Sequence, residues 1–314
     1  MPVNIQVAAG THPGMRRNYN QDNALARVVT LENGSVLGLL VVADGVGGQK
    51  AGDIASRFTV ETIHEALRDL FEAGGALSDT QPVATALLAP SNDDRLYKFL
   101  ETRLNLAIQA ANRRIREYAT ANPDEAGNMR STVTCALVCD LLAVVANVGD
   151  SRTYLYRDEA LQQLTADHSV VGQLVRDGQL APEAVFTHPR RNVITRALGN
   201  LEQAEVDFGQ HFLLDGDLLM LCSDGLWEMV TSDQDKMKIL AETRDLNEGV
   251  QQLISAANMA GGEDNISVVL GRVQYSMPEA LAATMPEFEF DPDDLPAIAS
   301  NEDTLIEYPK PDNN

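Results

Sequence analysis

The chain has 314 residues, of which 44% are hydrophobic and 22% are charged, so it is long enough for one large domain with a tail or for two smaller domains. Its formal net charge of −22 makes nonspecific binding to nucleic acid or to an anionic membrane unfavourable, because both are held mainly by lysine and arginine. An anionic substrate would need local neutralisation, and bound divalent cations are one way to provide it.

The chain has three cysteines, an odd and sparse set that argues against a disulfide framework. Cys135 and Cys139 lie in one apolar run, where four residues of strand separate them by roughly 13 Å, beyond disulfide reach. We therefore expect core thiols. The first residues show no basic start followed by an apolar stretch, and no run approaches the ~20 apolar residues of a membrane span. These features predict a cytoplasmic protein with no membrane partner.

Short apolar and β-branched runs recur along the chain, most of them bounded by Gly, Asp or Asn turn signals. In order, they predict strands at 5–9, 25–30, 36–43, 132–139, 141–148, 153–156, 217–222 and 266–273. Asp140 stands between two of these runs as a tight hairpin, which implies antiparallel neighbours.

Helical periodicity covers 51–71, 96–119 and 248–259. Strands grouped apart from long helices favour an α+β layered sandwich over alternating parallel units.

The predicted domain covers residues 1–275 and includes a surface flap at about 167–199, which contains a helical piece and a polar, proline-containing stretch. The composition then changes sharply. Residues 276–314 combine several prolines with many Asp and Glu residues, which is typical of a disordered tail.

Four aspartates lie where an apolar strand gives way to a glycine or polar turn: Asp44, Asp150, Asp224 and Asp264. An Asp-Gly pair alone is usually only a turn. Repetition at strand exits favours a second interpretation, because several aspartates at one rim of a sheet would repel one another unless cations were bound there. Oxygen ligands of this kind suit Mg²⁺ or Mn²⁺.

A fifth aspartate, Asp22, follows Arg16 and Arg17. The planar guanidinium of Arg17 is suited to clamping a phosphate, but an exposed arginine is equally able to form a surface ion pair. The spacing leaves both alternatives open.

Six motifs, taken in order, resemble the motif series of the metal-dependent type-2C serine/threonine protein phosphatases, and most closely that of the bacterial members. In this sequence they are RNYNQD from Arg17, DGVGG from Asp44, ST from Ser131, GDSR from Gly149, SDG from Ser223 and GEDN from Gly262. Each motif alone is weak, but the ordered set is specific, and it covers roughly residues 5 to 273.

The resemblance implies an αββα four-layer sandwich, with two antiparallel sheets between helices and a metal centre at one end. It implies that Asp44 bridges two Mn²⁺ or Mg²⁺ ions, that the backbone carbonyl of Gly45 binds one of them, and that Asp224 and Asp264 complete the protein ligands of the first ion.

The same resemblance assigns further residues around that centre. Asp22 matches an acidic residue that acts through water, and Asp150 with Asp224 matches a third, weaker metal site. Arg17 matches the phosphate-binding arginine. In the flap, His168 and the run that begins at His188 resemble a bacterial segment that influences substrate access.

By resemblance, the reaction is hydrolysis of phosphoserine and phosphothreonine by a water or hydroxide that the two ions bridge. One departure bears on the leaving group. Many eukaryotic relatives have a histidine, a proposed general acid, where this chain has Val46. Valine cannot donate a proton, so we expect water on the metal to be the acid, with His188 as the alternative.

Two other functions compete with the phosphatase. A pseudophosphatase that only binds phosphoproteins would be expected to lose metal aspartates, whereas this chain keeps them. The acidic tail could instead make the chain mainly an interaction protein. The family analogy predicts phosphorylated proteins as partners, including a serine/threonine kinase and its substrates, and nothing in the sequence demands more than a monomer.

Overall fold

The computed structural model describes residues 3–47, 51–72 and 95–275. In chain order the strands of these residues are β1 (Val3–His12), β2 (Asp22–Thr30), β3 (Val36–Val46), β4 (Arg130–Ser131), β5 (Val133–Cys139), β6 (Leu142–Val148), β7 (Arg152–Arg157), β8 (Ala160–Gln163), β9 (Asp207–Phe212), β10 (Leu218–Cys222) and β11 (Ile266–Tyr275). They form two sheets, in which every pairing is antiparallel. The first has the order β1-β11-β10-β7-β8, and the second has the order β2-β3-β5-β6-β9 with β4 paired to β3.

The described helices are α1 (Ala51–Ala66), α2 (Arg95–Ala121), α3 (Pro123–Ala126), α4 (Val170–Arg176), α5 (Asp224–Trp227), α6 (Asp233–Glu242) and α7 (Leu246–Met259). Single turns of 3-10 helix cover Arg68–Phe71 and Pro182–Thr187.

Alternate residues of the central strands enter different apolar layers, because successive side chains of a strand point to opposite faces. In β3, Leu39 packs with α1 and α2, whereas Leu40 packs against the other sheet. In β11, Leu270 packs with α7 and Val269 lies between the sheets. Three apolar layers therefore separate four structural layers, and the predicted αββα sandwich is confirmed.

The continuous apolar runs became the central strands. β5 and β6 are buried along their whole length. The turn between them contains Asp140, whose φ is 51° and whose Oδ1 accepts a hydrogen bond from the Val36 backbone N–H at 2.7 Å. The predicted hairpin is present, since Cys139 pairs with Leu142.

All three cysteines are buried and free, as expected for core thiols. Burial raises the pKa of Cys135, of Cys139 and of Cys222 to about 12, so none of them supplies a thiolate near neutral pH.

Several elements lack a clear sequence signal. β9 is an edge strand with mostly polar residues, and such edges are often polar because this discourages pairing with another chain. α6 is absent from the sequence prediction because its buried face contains Lys236, which is only 2% exposed. The ammonium of Lys236 donates to the Val230 carbonyl at 3.0 Å and pairs with Asp233 at 2.8 Å.

Residues 167–199 contain α4 and the turn Pro182–Thr187, and a single bridge pairs Ser169 with Ile194. Ser169 caps α4 by accepting a hydrogen bond from the Gly172 N–H at 3.0 Å. The predicted tail, 276–314, lies outside the described residues. None of the helices that the structure describes has the length and apolar character needed to cross a membrane.

Candidate metal centre

The predicted aspartates gather at one end of the sandwich. Asp22 starts β2 and is paired in register with Asp44 near the end of β3, so two carboxylates face each other across neighbouring strands. Residues that are directly opposite have Cβ atoms about 4.5–5.5 Å apart, and like charges in this arrangement repel.

Hydroxyl groups connect the two sheets at this rim. Ser223, which follows β10, donates from Oγ to Asp22 Oδ2 at 2.6 Å. Thr132 Oγ1 lies 2.8 Å from Ser151 Oγ, and the same oxygen accepts a hydrogen bond from the Asp44 N–H at 2.9 Å. Asp22 and Asp44 are thereby held at fixed positions where the sheets meet.

Asp150 follows β6 and is buried, with 4% of its surface exposed. Its carbonyl oxygen accepts a hydrogen bond from Trp227 Nε1 at 3.0 Å. The Arg152 guanidinium stacks 3.6 Å from the Trp227 ring and forms a two-pronged ion pair with Asp167. Trp227 therefore packs beneath the rim.

Glu228 belongs to the same acidic group, although the sequence analysis did not identify it. It lies four residues after Asp224 along the helical turn of α5, a spacing that places two side chains on one face. Burial raises the pKa of Glu228. The spacing of four residues from Asp224 was a signal in the sequence for Glu228. It has little value for prediction unless α5 is known to line the rim.

The rim is electrostatically unfavourable without cations. Asp44 and Asp224 are partly exposed, but the protein around them removes much of their hydration. This desolvation raises the pKa of Asp44 well above its usual range, and the charges of Asp22, Asp224 and Asp150 raise it further. Desolvation likewise raises the pKa of Asp224, with Asp150 adding to the shift.

Two further carboxyls show the same effect. Burial raises the pKa of Asp22 to about 6, with the charge of Asp264 contributing and the hydrogen bond from Ser223 opposing. Burial raises the pKa of Asp150 to about 7, and the charges of Asp167 and Glu228 add to it. Protonation and cation binding are the two ways to relieve this repulsion.

Unpaired carboxylate oxygens supply the test of whether ions fit this rim. Asp22, Asp150 and Asp224 each have one buried Oδ1 without a hydrogen-bond partner in the structure. Buried polar atoms normally have partners, so three orphaned oxygens in an acidic group indicate ligands for a hard cation. Within the described residues no set of three potential ligand side chains closes around one point. Mg²⁺ keeps several waters and takes few carboxylates, so a site for it needs few protein ligands.

Gly45 follows Asp44 and brings β3 against the start of α1. A Cβ at this position would lie 1.9 Å from the Gly52 carbonyl oxygen and 2.7 Å from that of Gln21. The Gly45 N–H donates to the same Gln21 oxygen at 3.0 Å. A glycine is therefore required by close packing here, whether or not its own carbonyl binds an ion.

Arg17 forms an exposed ion pair, which is one of the two alternatives that the sequence left open, and its partner is Asp264. Arg17 NH2 lies 2.7 Å from Asp264 Oδ2, and the two side chains are 54% and 39% exposed. The structure thus brings the predicted phosphate-binding arginine to the acidic rim, next to one predicted metal ligand.

Asn265 holds the loop that carries Arg17. Its amide nitrogen donates to the carbonyl oxygens of Pro13 at 3.0 Å and Tyr19 at 2.8 Å, and its Oδ1 accepts from the Gln21 N–H at 2.8 Å. Three hydrogen bonds from one side chain fix both ends of the loop. The sequence offered only the membership of Asn265 in a motif.

His188 forms its hydrogen bond away from the aspartates. Its Nδ1 accepts a hydrogen bond from the Arg190 N–H at 3.1 Å, within its own turn. Among the described residues, no hydrogen bond or ion pair joins His188 to Asp22, Asp44 or Asp224. Its predicted role in substrate binding stays a prediction.

Comparison with known proteins identifies the family. The family model described as "Protein phosphatase 2C" matches residues 10–260. The chain belongs to the protein phosphatase 2C family.

Similar proteins of this family are bacterial. A Listeria innocua protein named "Serine/threonine phosphatase stp" is 38% identical over 260 residues, which is 83% of this chain and 92% of the relative. The solved serine/threonine phosphatase of S. agalactiae superposes with a TM-score of 0.70 at 32% identity, covering 86% of this chain and 99% of that one. The catalytic domain of the serine/threonine protein phosphatase PstP, solved with two manganese ions, gives 0.67 at 30% identity, covering 87% and 100%.

The resemblance inferred from the six motifs and the predicted fold are confirmed by these findings. The aspartates of this type-2C phosphatase, with their orphaned oxygens, lie at one end of a sandwich that is shared with relatives of known structure.

Proposed function

We propose that this chain is a metal-dependent serine/threonine phosphatase that hydrolyses phosphoserine and phosphothreonine in proteins. The observation that carries the proposal is the buried, mutually repelling aspartate group with unpaired oxygens. Its relatives include proteins named as serine/threonine phosphatases, and one was solved with two manganese ions.

We assign the ligands of Mn²⁺ or Mg²⁺ to the aspartates of the rim and to one backbone group. Asp44 would hold two ions, the Gly45 carbonyl would bind one of the two, and Asp224 and Asp264 would complete the protein ligands of the first ion. Such ions lower the pKa of a shared water and neutralise charge on a phosphate when they are bound.

Two more aspartates complete the assignment. Asp22 keeps one oxygen bonded to Ser223 and leaves the other without a partner, so it is placed to accept a hydrogen bond from a water in the centre. Asp150, whose Oδ1 is also unpaired, would share a third and weaker site with Asp224.

The role of Arg17 is to hold the phosphate. Its ion pair with Asp264 is exposed at both ends, and such pairs contribute only about 0–1 kcal/mol, so the guanidinium can exchange this partner for a phosphate at small cost. A guanidinium binds phosphate oxygens through two parallel hydrogen bonds, which orients the phosphorus for in-line attack. Asn265 keeps the Arg17 loop in place for this contact.

The proton for the leaving group comes from water in this proposal. Val46, at the position of the histidine in many eukaryotic relatives, is 41% exposed and has no proton to donate. His188 accepts a backbone hydrogen bond at Nδ1, and among the described residues it forms no hydrogen bond or ion pair with the rim aspartates.

The partners are phosphorylated proteins, and we propose that they include a serine/threonine kinase and its substrates. We further propose a monomer whose phosphatase domain ends near residue 275. The charge of −22 disfavours nucleic acid as a partner.

Phosphate release from a phosphothreonine peptide tests this function. The purified protein is assayed with Mn²⁺, with Mg²⁺ and with a chelator, beside Asp44→Asn and Asp224→Asn. Asp235→Asn is the matched control, because Asp235 is an exposed aspartate on α6 outside the rim. We expect metal-dependent release that both rim variants lose and the control keeps.

Calorimetric titration with Mn²⁺ separates binding of the ions from chemistry. If folded, Mn²⁺-loaded protein released no phosphate from several phosphopeptides, a phosphoprotein-binding module without catalysis would replace the enzyme.

A further inference from the structure

An open pocket of about 350 Å³ lies beside the Arg17 loop, outside the acidic rim. Met15 from the loop and His12 from the end of β1 form one side, and α7 supplies Ile254, Asn258 and Met259 on the other. Met15 is 65% exposed and Met259 is 81% exposed, the highest value among the exposed large hydrophobic residues. Two exposed methionines at one pocket are unusual enough to need an explanation.

The pocket is part of the packed structure of the loop. The Met15 N–H donates to the Gly262 carbonyl at 2.7 Å. Gly14 has a φ of 78°, and a Cβ there would lie 2.1 Å from the Asp264 carbonyl oxygen, so this contact requires glycine. His12 Nδ1 accepts from the Gly14 N–H at 2.9 Å and lies 3.3 Å from Asn258 Nδ2. The backbone contacts that fix Arg17 therefore also fix this pocket.

The pocket is close to the place where phosphate would bind. Arg17 contacts Asp264, whereas Met15 contacts Gly262, two residues earlier in the same loop. Two residues separate Cα atoms by at most about 7.6 Å. In an extended peptide, side chains two positions apart point to the same side and are about 7 Å apart. An extended substrate with its phosphate at Arg17 can thus place a neighbouring side chain over Met15.

The exposed apolar part of the lining is suited to an apolar side chain. Met15, Ile254 and Met259 form this part, and the other lining residues are polar: His12, Gln251, Ser255 and Asn258. None of the pocket residues is an Asp, Glu, Lys or Arg, although the chain carries a net charge of −22 and the adjacent rim is acidic. Methionine side chains are flexible and polarisable, so they adapt to differently shaped apolar groups.

We propose that this pocket is a substrate subsite that takes an apolar side chain located two or three residues from the phosphoserine or phosphothreonine. The inference rests on the proposed function, because it extends the site at which Arg17 holds the phosphate. The occupant is the phosphoprotein substrate itself, since the pocket is continuous with the Arg17 loop.

The test uses phosphothreonine peptides with a single leucine placed in turn at each flanking position of an alanine and serine background. For the full-length protein, kcat/KM should be highest, by roughly fivefold, when leucine stands two or three positions from the phosphothreonine on one side, because an open apolar pocket discriminates weakly. A glutamate at the same position should lower kcat/KM.

Met259→Ser tests the pocket without altering the Arg17 loop. The leucine-to-alanine ratio of kcat/KM, measured for each variant on the same pair of peptides, should fall from about five towards one. Leu106→Ser is the matched control, since Leu106 is 60% exposed on α2, in a different layer, and should keep the wild-type ratio. Met15→Ser should reproduce the effect of Met259→Ser.

Other outcomes would overturn the proposal. If kcat/KM did not depend on the position of the leucine, substrates would not use this pocket. The same conclusion would follow if Met259→Ser kept the wild-type leucine-to-alanine ratio of kcat/KM. A sedimentation coefficient that falls in Met259→Ser would assign the surface to a second copy of the chain. A leucine preference that appears only after removal of residues 276–314 would assign it to the tail. Hydrolysis of p-nitrophenyl phosphate, which has no flanking residues, separates these results from failure of the phosphatase function itself.

Discussion

Replacing Asp150 by asparagine should make the metal-free protein more stable near neutral and alkaline pH. Asp150 is buried with an unpaired Oδ1, and burial together with the charge of Asp167 raises its pKa to about 7 from an ordinary value of 3.8. Asparagine is nearly the same size and carries no charge, so it removes the unfavourable charge without opening a cavity. Sites arranged for function often sacrifice stability in this way.

The coupling between protonation of Asp150 and folding gives the sign and the size of this change in stability. Because the folded-state pKa is raised, the favourable contribution of protonated Asp150 is complete below about pH 4 and is lost as the pH rises through about 7. A shift of about three units at about 1.4 kcal/mol each gives an upper bound of about 4 kcal/mol. Relaxation and coupling to the neighbouring carboxyls reduce this, and we expect a gain of about 2 kcal/mol at about pH 8, or roughly 4–8 °C in Tm.

Thermal unfolding in chelator, at about pH 8 and about pH 5, measures this gain. Asp217→Asn is the matched control, because Asp217 is equally buried but pairs with Arg157 and accepts the Leu214 N–H. Removing its charge leaves the arginine unpaired, so this variant should lose about 1–3 kcal/mol. Added Mn²⁺ should stabilise the wild type more than Asp150→Asn. The difference in Tm between the two proteins should therefore become smaller or change sign.

The reasoning is refuted if Asp150→Asn lowers the Tm of the metal-free protein at the higher pH. It is also refuted if the gain is as large at the lower pH, where the carboxyl of the wild type is already protonated in the folded state.

Three further predictions concern single positions. Gly45→Ala should cost more than about 2 kcal/mol in urea unfolding, because its Cβ would lie 1.9 Å from the Gly52 carbonyl oxygen; a loss below about 0.5 kcal/mol would contradict the close packing. Asn265→Ala should lower kcat/KM for a phosphopeptide by about tenfold to a hundredfold, since it frees the loop that carries the phosphate-binding arginine, whereas an unchanged value would remove Asn265 from the site. His188→Ala should change kcat less than about threefold, and a loss of about a hundredfold or more would make His188 the general acid and contradict the water proposal.

The continuous apolar runs became central strands because both faces of such a strand are covered in the sandwich. Runs such as those of β5 and β6 are apolar on both faces, and only a strand covered on both sides accommodates such a run. The edge strand β9 was not predicted, because its sequence contains no run of apolar residues. In α6, Lys236 replaces the apolar residue that the pattern needs, and its partners Val230 and Asp233 are visible only in the folded chain.

The acidic site was likewise predicted only in part from the sequence. The sequence analysis placed Asp44, Asp150, Asp224 and Asp264 at strand exits, and this is wrong for Asp264, which comes before β11. All four still reach one rim, because the end of one strand and the start of its antiparallel neighbour lie at the same edge of a sheet. Glu228 was not identified, since nothing local shows that α5 lines this rim.

Local sequence by itself determined the central strands, the hairpin at Asp140 and the carboxylates at or just after the ends of β3, β6 and β10, because burial and backbone preference act over a few residues. Which groups meet was decided only by the tertiary structure. Arg17 contacts Asp264 across 247 residues because β1 pairs with β11, and Ser223 contacts Asp22 across 201 residues because the two sheets face each other. The raised pKa of each buried aspartate has the same origin, because desolvation and repulsion exist only after the fold has brought the carboxylates together.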